Sequence, residues 1–324
     1  MADEWHFFIK RLNKTLNKSM AFLTPTGMVL GLLLSSRISW MKPIVTVLFA
    51  LVTLIGALGM DLSDFKQVLN RPKPLLTVFI CSHIFMPTFI WMFANLFFSA
   101  SPDVVVGFIL LSAIPIAVSS YVWSSIYYGK GSLSLSIILL DTLLAPFLTP
   151  LTVRIFTRTN VVFDASGIMR SLFLMVVIPS IIGMAINHFA YETVTKKVLP
   201  NVKPLSKIFL FLVVLINASQ IGSRVTFKLG YLKIAALNIA LTVLGFLLAY
   251  GLSRLMHFEK DEQVSITYGG TLRNLNAALV LALQFFPPES SIPVVFGIIV
   301  QQILSAFMGK GLFGRYQDKM QRLE

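Results

Sequence analysis

Long apolar stretches without a single charged residue constrain this chain more than any other feature. A helix needs about 20 mainly apolar residues to cross the hydrocarbon of a bilayer. Charge-free stretches of this kind lie at 19–36, 43–60, 74–102, 104–129, 171–191, 208–223, 234–253 and 290–309. Two further apolar stretches, 131–153 and 263–288, each hold one charge, Asp141 and Arg273. The sequence therefore predicts an all-α membrane protein with ten transmembrane spans, numbered here from 1 to 10 in chain order.

The composition supports a membrane protein and argues against an enzyme. Of the 324 residues, 56% are hydrophobic and 13% are charged, whereas a soluble domain is about 45–50% apolar and about 25% charged. The single cysteine, Cys81, excludes an internal disulfide. The chain has no phosphate-binding loop, no histidine spacing typical of zinc and no evident nucleophile paired with a base. We therefore expect no enzymatic activity, no cofactor and no metal beyond a possible sodium ion.

The positive charge of the chain lies between the apolar stretches. The formal net charge is +13, but no basic and aromatic patch of the kind that binds nucleic acid is present. The N-terminus, the C-terminus and the loops on their side carry 18 of the 27 Lys and Arg residues, and the loops on the other side carry 8. Since basic loops stay in the cytoplasm, we expect a multi-pass protein of the cytoplasmic (inner) membrane with both termini cytoplasmic. Residues 1–18 are expected to form an interfacial N-terminal segment, with a polar tail as the alternative.

The spans divide into two groups of five at the polar connection of residues 154–170. Because five is an odd number, a duplicated five-helix unit must enter the membrane the second time with the opposite topology. The sequence thus predicts two inverted five-helix repeats. This arrangement is typical of secondary transporters, whose binding sites lie at mid-membrane between interrupted helices.

Spans 4 and 9, the fourth of each half, are predicted to be broken near their middle. Span 4 has Pro115 followed by a polar group of residues, and span 9 has Gly269 and Gly270 followed by another. Proline and glycine weaken a helix by about 3 and about 1 kcal/mol relative to alanine, and freed backbone groups are tolerated in a membrane only inside protein or against water. The alternative is close helix packing through small residues. The predicted substrate-binding residues are Ser119, Ser120, Tyr121, Thr271, Arg273, Asn274 and Asn276.

Several sequence segments carry a resemblance to a known family. They are GALGMDLSDF (56–65), SHIFMP (82–87), the stretch 115–131, TLLAPFLTPL (142–151) and GGTLRNLNAALVLA (269–282). On these segments the chain resembles the bile acid:sodium symporter family across nearly its whole length, as a bacterial member. The resemblance implies one transporter domain, residues 1–324, in which a core of spans 3, 4, 5, 8, 9 and 10 moves against a panel of spans 1, 2, 6 and 7. It also implies that the broken spans 4 and 9 cross at the substrate site.

The chain departs from this family at its cation ligands. Sodium-coupled members have a Thr-Ala-Ser-Asn segment in span 4 and a Glu-x-Gly-x-Gln-Asn segment in span 9. Here Tyr121 replaces the asparagine, Gly269 the glutamate and Arg273 the glutamine. Ser120 and Asn274 are kept. Further aligned positions hold Ser134 and Ile138 in span 5 and Ser82 in span 3. A hard cation needs several oxygen ligands, so these changes put sodium coupling in doubt.

The lone intramembrane charges are expected to pair. An arginine at mid-membrane is costly, and Asp141 is the carboxylate that lies well inside a span of the same core. The candidate residues for cation or proton coupling are Ser82, His83, Ser120, Ser134 and Asp141. If protons are the coupling ion, Asp141 or His83 must carry them.

The sequence therefore predicts a secondary active transporter that carries small organic anions by alternating access within a lipid bilayer, with a sodium ion or a proton as the possible coupling ion. Two alternatives remain open at this stage. One is a sodium-coupled symporter with a cation site rebuilt around Asp141, Ser134 and Ser120. The other is a ligand-binding channel or sensor without coupled transport.

Overall fold

The computed structural model describes residues 26–27, 29–31, 33–59, 72–157, 163–220 and 230–323. The expected interfacial segment 1–18 and part of span 1 lie outside the described residues. Within the described ranges, the regular elements are helices and no strand occurs, so the expected all-helical class is confirmed. The described residues form two compact units, one drawn from Met1–Leu62 and Arg170–Thr226, the other from Ser63–Met169 and Phe227–Glu324.

Eleven helices are used below, numbered in chain order. They are α1 (Ile44–Ala57), α2 (Pro72–Phe98), α3 (Pro102–Ala113), α4 (Ser119–Ile126), α5 (Gly131–Thr157), α6 (Ala165–Phe189), α7 (Tyr191–Ser219), α8 (Gly230–Leu255), α9 (Lys260–Thr271), α10 (Leu275–Phe285) and α11 (Ser291–Gln321). Short helical turns precede α1 at Ser35–Met41 and α11 at Pro288–Ser290. Of these helices, α2, α5, α6, α7, α8 and α11 are long and apolar enough to cross a membrane by themselves.

In the first unit, α1 packs between α6 and α7. The contact with α6 is close because Gly183 has no side chain. A Cβ at that position would lie 2.7 Å from the carbonyl oxygen of Leu54 and 2.8 Å from the Cβ of Ala57. Small residues at a helix contact let the two backbones approach, which is the usual means of packing helices in a membrane.

In the second unit, the two short helices α3 and α9 occupy central positions. Eight of the twelve residues of α3 are buried, and every residue of α9 from Glu262 to Thr271 is buried. A helix that is apolar all round is expected at such a position, and α3 meets that description, with Phe108 and Ile109 fully enclosed. Helix α9 is also buried, but it carries polar side chains, and these form hydrogen bonds within the unit. Both helices end at an interruption.

The interruption after α3 is at Ile114–Val118, where the prediction placed it. Ile114 is extended, with φ −80° and ψ 150°, because the residue before a proline is pushed out of the helical region. The interruption after α9 lies later than the glycine pair suggested. Gly269 and Gly270 are helical, and the chain leaves the helix at Leu272. The role of Gly270 is a close approach, since a Cβ there would lie 3.0 Å from the Cβ of Ala249.

Candidate functional site

The two interruptions of the second unit meet each other. Ile116 and Arg273 form an antiparallel bridge. The Ala117 N–H donates to the carbonyl of Leu272 at 3.1 Å, and the Asn274 N–H donates to the carbonyl of Pro115 at 2.9 Å. Backbone groups that the ends of the helices leave unpaired are thus hydrogen-bonded by the other interrupted segment, as burial requires. We call this pair of segments, 114–118 and 272–274, the crossing.

Side chains of α5 satisfy further backbone groups beside the crossing. The Thr149 hydroxyl donates to the carbonyl of Ala113 at 2.6 Å. The Ile116 N–H donates to Asp141 Oδ2 at 2.5 Å. An unsatisfied backbone group costs several kcal/mol in an apolar medium. Helix α5 therefore stabilises the interruption after α3 from one side.

The guanidinium of Arg273 binds one carbonyl oxygen of α2 and one of the crossing. Its Nη2 donates to the carbonyl of Ser82 at 2.7 Å, and its Nη1 donates to the carbonyl of Ile114 at 3.4 Å. Nη1 also lies 3.8 Å from Asp141 Oδ2. The side chain is 4% exposed. The pairing of Arg273 with Asp141 that the sequence predicted is confirmed.

The Ser82 carbonyl is free to accept this bond for a local reason. Residues Cys81–Phe85 form a single π turn inside α2, and the Met86 N–H bonds to the carbonyl of Cys81. The next possible donor along the helix would be residue 87, which is proline and has no N–H. The sequence SHIFMP therefore leaves the Ser82 carbonyl without a helical partner, and this carbonyl points to the crossing.

Asp141 is fully buried and has three partners. Besides the Ile116 N–H and Arg273, its Oδ1 lies 2.6 Å from Nε2 of His83, which belongs to the same π turn as Ser82. His83 is 11% exposed, its ring packs on Phe79, and its Nδ1 has no hydrogen-bond partner within the described part of the chain. The carboxylate is therefore held by a backbone N–H, a guanidinium and an imidazole.

Gln301 of α11 fixes the backbone of Arg273. The Arg273 N–H donates to Gln301 Oε1 at 2.9 Å, and Gln301 Nε2 donates to the carbonyl of Arg273 at 2.9 Å. One amide side chain thus replaces two helical hydrogen bonds. Beside it lies a cavity of about 40 Å³, enough for two or three water molecules. Its polar lining comprises Ser112, Asn238, Thr242, Thr271, Arg273 and Gln301.

The predicted coupling residues do not all come together. Ser82, His83 and Asp141 lie together beside Arg273, as described above. Ser134 does not join them, because its hydroxyl donates to Ser124 Oγ at 3.0 Å, and Ser124 Oγ in turn lies 3.2 Å from Ser265 Oγ. These hydrogen-bonded hydroxyls connect α4, α5 and α9 and do not include Asp141 or Arg273.

The predicted substrate residues flank the crossing at the starts of α4 and α10. Ser119, Tyr121, Asn274 and Asn276 are half-buried, and Ser120 and Thr271 are buried. Asn274 caps α10, since its Oδ1 accepts from the Ala277 N–H at 3.3 Å. Ser120 Oγ and Asn276 Oδ1 are buried atoms for which the described residues supply no hydrogen-bond partner.

Comparison with known proteins agrees with this picture. The model of the family described as the Sodium Bile acid symporter family matches residues 45–227. The chain is 36% identical over 293 residues to the protein YbaS of Bacillus subtilis (strain 168), covering 90% of this chain and 95% of that protein. It is 25% identical to a Bacillus subtilis protein named as the sodium-dependent transporter YocS, over 82% of this chain and 81% of that one. It is 23% identical to a protein of Arabidopsis thaliana named as a probable sodium/metabolite cotransporter, BASS1, over 98% of this chain and 77% of that one.

Proposed function

Because the chain belongs to the Sodium Bile acid symporter family, we propose that it is a secondary active transporter of small organic anions that works by alternating access. The family is one of membrane transport proteins, and we propose no enzymatic activity for the chain. The observation that carries the finer proposal is the crossing, where two interrupted helices meet around a buried arginine.

The crossing offers positive potential to an anion. Helices α4 and α10 both begin there, and the first turn of a helix carries partial positive charge and free N–H groups. Hydroxyl and amide groups of Ser119, Ser120, Tyr121, Asn274 and Asn276 lie on or beside these first turns. We propose that a carboxylate is held by these groups, with Thr271 and Arg273 behind them. An uncharged solute would gain less from such a site.

Two inverted five-helix repeats are part of the proposal. The pairs α3–α4 and α9–α10 would be the fourth spans of the two repeats. The antiparallel direction of the bridge between Ile116 and Arg273 supports this, because corresponding elements of an inverted repeat run in opposite directions. The division of the spans into a panel and a core, the motion between them, and the cytoplasmic position of both termini stay predictions.

We propose that the coupling ion is a proton held between His83 and Asp141. With neutral His83, the charges of Asp141 and Arg273 cancel. Protonation of His83 gives the cluster a net charge of +1, which an organic monoanion at the crossing would offset. The other titratable group beside this cluster is the buried Cys81 thiol, on the same turn of α2. Entry of a proton and an anion together is thus electrically favourable inside a low-dielectric protein.

Two measurements test the proposed function. Thermal unfolding of the purified protein against small carboxylates, hydroxy acids and sterol acids would first identify a ligand, because a bound ligand raises the midpoint. Counterflow of that labelled ligand in proteoliposomes would then follow. Saturable counterflow supports the carrier. Flux that does not saturate supports the channel alternative, and binding without flux supports the sensor.

A further inference from the structure

The cation that holds the crossing together is part of the protein. We propose that the Arg273 guanidinium is a tethered cation that occupies the place of a coupling sodium ion, so that this chain does not bind sodium at the crossing. The inference deepens the proposed function, since it concerns the coupling ion at the same site. It also separates this chain from relatives whose names state sodium dependence.

The oxygen atoms that a metal ion would need are already bound to the arginine. The two carbonyls that the interruptions and the π turn release, those of Ser82 and Ile114, accept from the two terminal nitrogens of Arg273. Asp141 Oδ2 lies 3.8 Å from Nη1 and supplies the negative charge. A buried cation is expected to have carbonyl and carboxylate oxygens around it. Here all of those oxygens come from α2, the crossing and α5.

The neighbouring oxygen atoms are also in use. Asp141 Oδ1 is engaged by His83 at 2.6 Å, and Gln301 Oε1 accepts from the Arg273 N–H at 2.9 Å. The hydroxyl of Ser134 bonds to Ser124. Among the described buried side chains beside the crossing, Ser120 Oγ and Asn276 Oδ1 are the oxygens left without a partner. Two such oxygens do not make a site for a hard cation, which takes about six oxygen ligands. The residues present therefore do not fit sodium.

Charge repulsion acts in the same direction. A sodium ion bound to Asp141 Oδ2 on the side that faces Nη1, which is 3.8 Å away, would lie on the order of 4 Å or less from the guanidinium. At the effective dielectric constant of about 20 that reproduces measured charge interactions even at buried sites, like charges at that distance weaken binding on the order of a thousandfold. The guanidinium cannot lose its proton to relieve the repulsion. Sodium binding at this position thus requires removal of the arginine charge.

The experiment measures sodium alone, without an organic substrate. The binding of ²²Na⁺ to purified protein is measured for the wild type, for Arg273→Gln and for Arg273→Lys, together with unfolding midpoints in sodium chloride and choline chloride. We expect no saturable ²²Na⁺ binding and equal midpoints for the wild type and for Arg273→Lys. Arg273→Gln leaves Asp141 and two carbonyls without a cation, so it should bind sodium at least about a hundredfold more tightly than the wild type and unfold at a higher temperature in sodium.

Arg254→Gln is the matched control, since Arg254 is exposed at the end of α8 and lies against Tyr250. It should behave as the wild type does. Saturable sodium binding by the wild type overturns the inference, and so does an Arg273→Gln protein that folds but stays insensitive to sodium. If Arg273→Gln does not fold, the wild type alone decides. Saturable ²²Na⁺ binding by the wild type overturns the inference, and its absence supports the inference. Neither result bears on counterflow, so failure of this inference and failure of the proposed transport function are distinguishable.

Discussion

Breaking the ion pair between Arg273 and Asp141 from either side should cost more than removing it altogether. The perturbation is a double-mutant cycle of Arg273→Gln and Asp141→Asn. At 3.8 Å and an effective dielectric constant of about 20, the attraction between the two charges is about 4 kcal/mol. Each single substitution leaves the other charge buried and uncompensated, which typically costs about 3–5 kcal/mol of stability.

The double substitution keeps the polar contacts. An asparagine at 141 can still accept the Ile116 N–H, and a glutamine at 273 can still donate to one of the carbonyls, so the neutral pair should be tolerated. We expect the cost of the double variant to be smaller than the sum of the single costs by about 2–4 kcal/mol. The assay is unfolding of the purified proteins in one detergent, followed by tryptophan fluorescence.

The exposed pair of Lys196 and Glu192 on α7 provides the control. Its charged atoms are 3.5 Å apart, close to the separation in the buried pair, but the two side chains are 70% and 82% exposed. Its coupling energy should be no more than about 0.5 kcal/mol. Additive costs at Arg273 and Asp141, within about 0.5 kcal/mol, would refute the reasoning, because they would mean that burial does not strengthen the pair.

Three further substitutions test other parts of the site and its surroundings. Gln301→Leu removes the partner of two backbone groups and should destabilise the protein by about 1–3 kcal/mol, whereas Gln302→Leu, at a half-buried position with one long bond of 3.4 Å, should cost less in the same unfolding assay. His83→Gln should abolish the stimulation of uptake by an inward proton gradient while retaining counterflow; a stimulation equal to that of the wild type would exclude His83 as the proton carrier. Gly309→Ala places a methyl group against the Tyr268 hydroxyl and the Tyr127 ring and should cost at least about 1–3 kcal/mol, whereas Gly311→Ala, in open space on the same helix, should be neutral or stabilising by up to about 1 kcal/mol.

Local signals in the sequence were enough to predict the interruption after α3 and the pairing of the two charges. Pro115 acts on the residue next to it, and a lone arginine in a span must find a carboxylate. The interruption after α9 was less predictable, because Gly269 and Gly270 serve the packing of a helix that continues past them. Only the tertiary structure determines where that helix stops.

The contacts that define the cluster depend on details that spacing alone does not show. The π turn at Cys81–Phe85 adds a residue to one turn of α2 and so changes which side chains face the crossing. It places His83 against Asp141 and the Ser82 carbonyl against Arg273. Pro87, five residues after Ser82, is the one sequence signal that indicates a free carbonyl there. The hydrogen bonds of Gln301 join residues 28 positions apart and had no such signal.

The central claim is that the crossing is a site reached by water and by substrate, and cysteine accessibility tests it most directly. The single cysteine is buried, so Cys81→Ala provides the background. In proteoliposomes, Ser119→Cys and Asn276→Cys should react with a membrane-impermeant thiol reagent, and a carboxylate identified by thermal unfolding should slow that reaction. Ile138→Cys, at a position 1% exposed in α5, should stay unreactive. If Ser119→Cys and Asn276→Cys are as unreactive as Ile138→Cys from both sides of the membrane, the crossing is sealed and the account is contradicted.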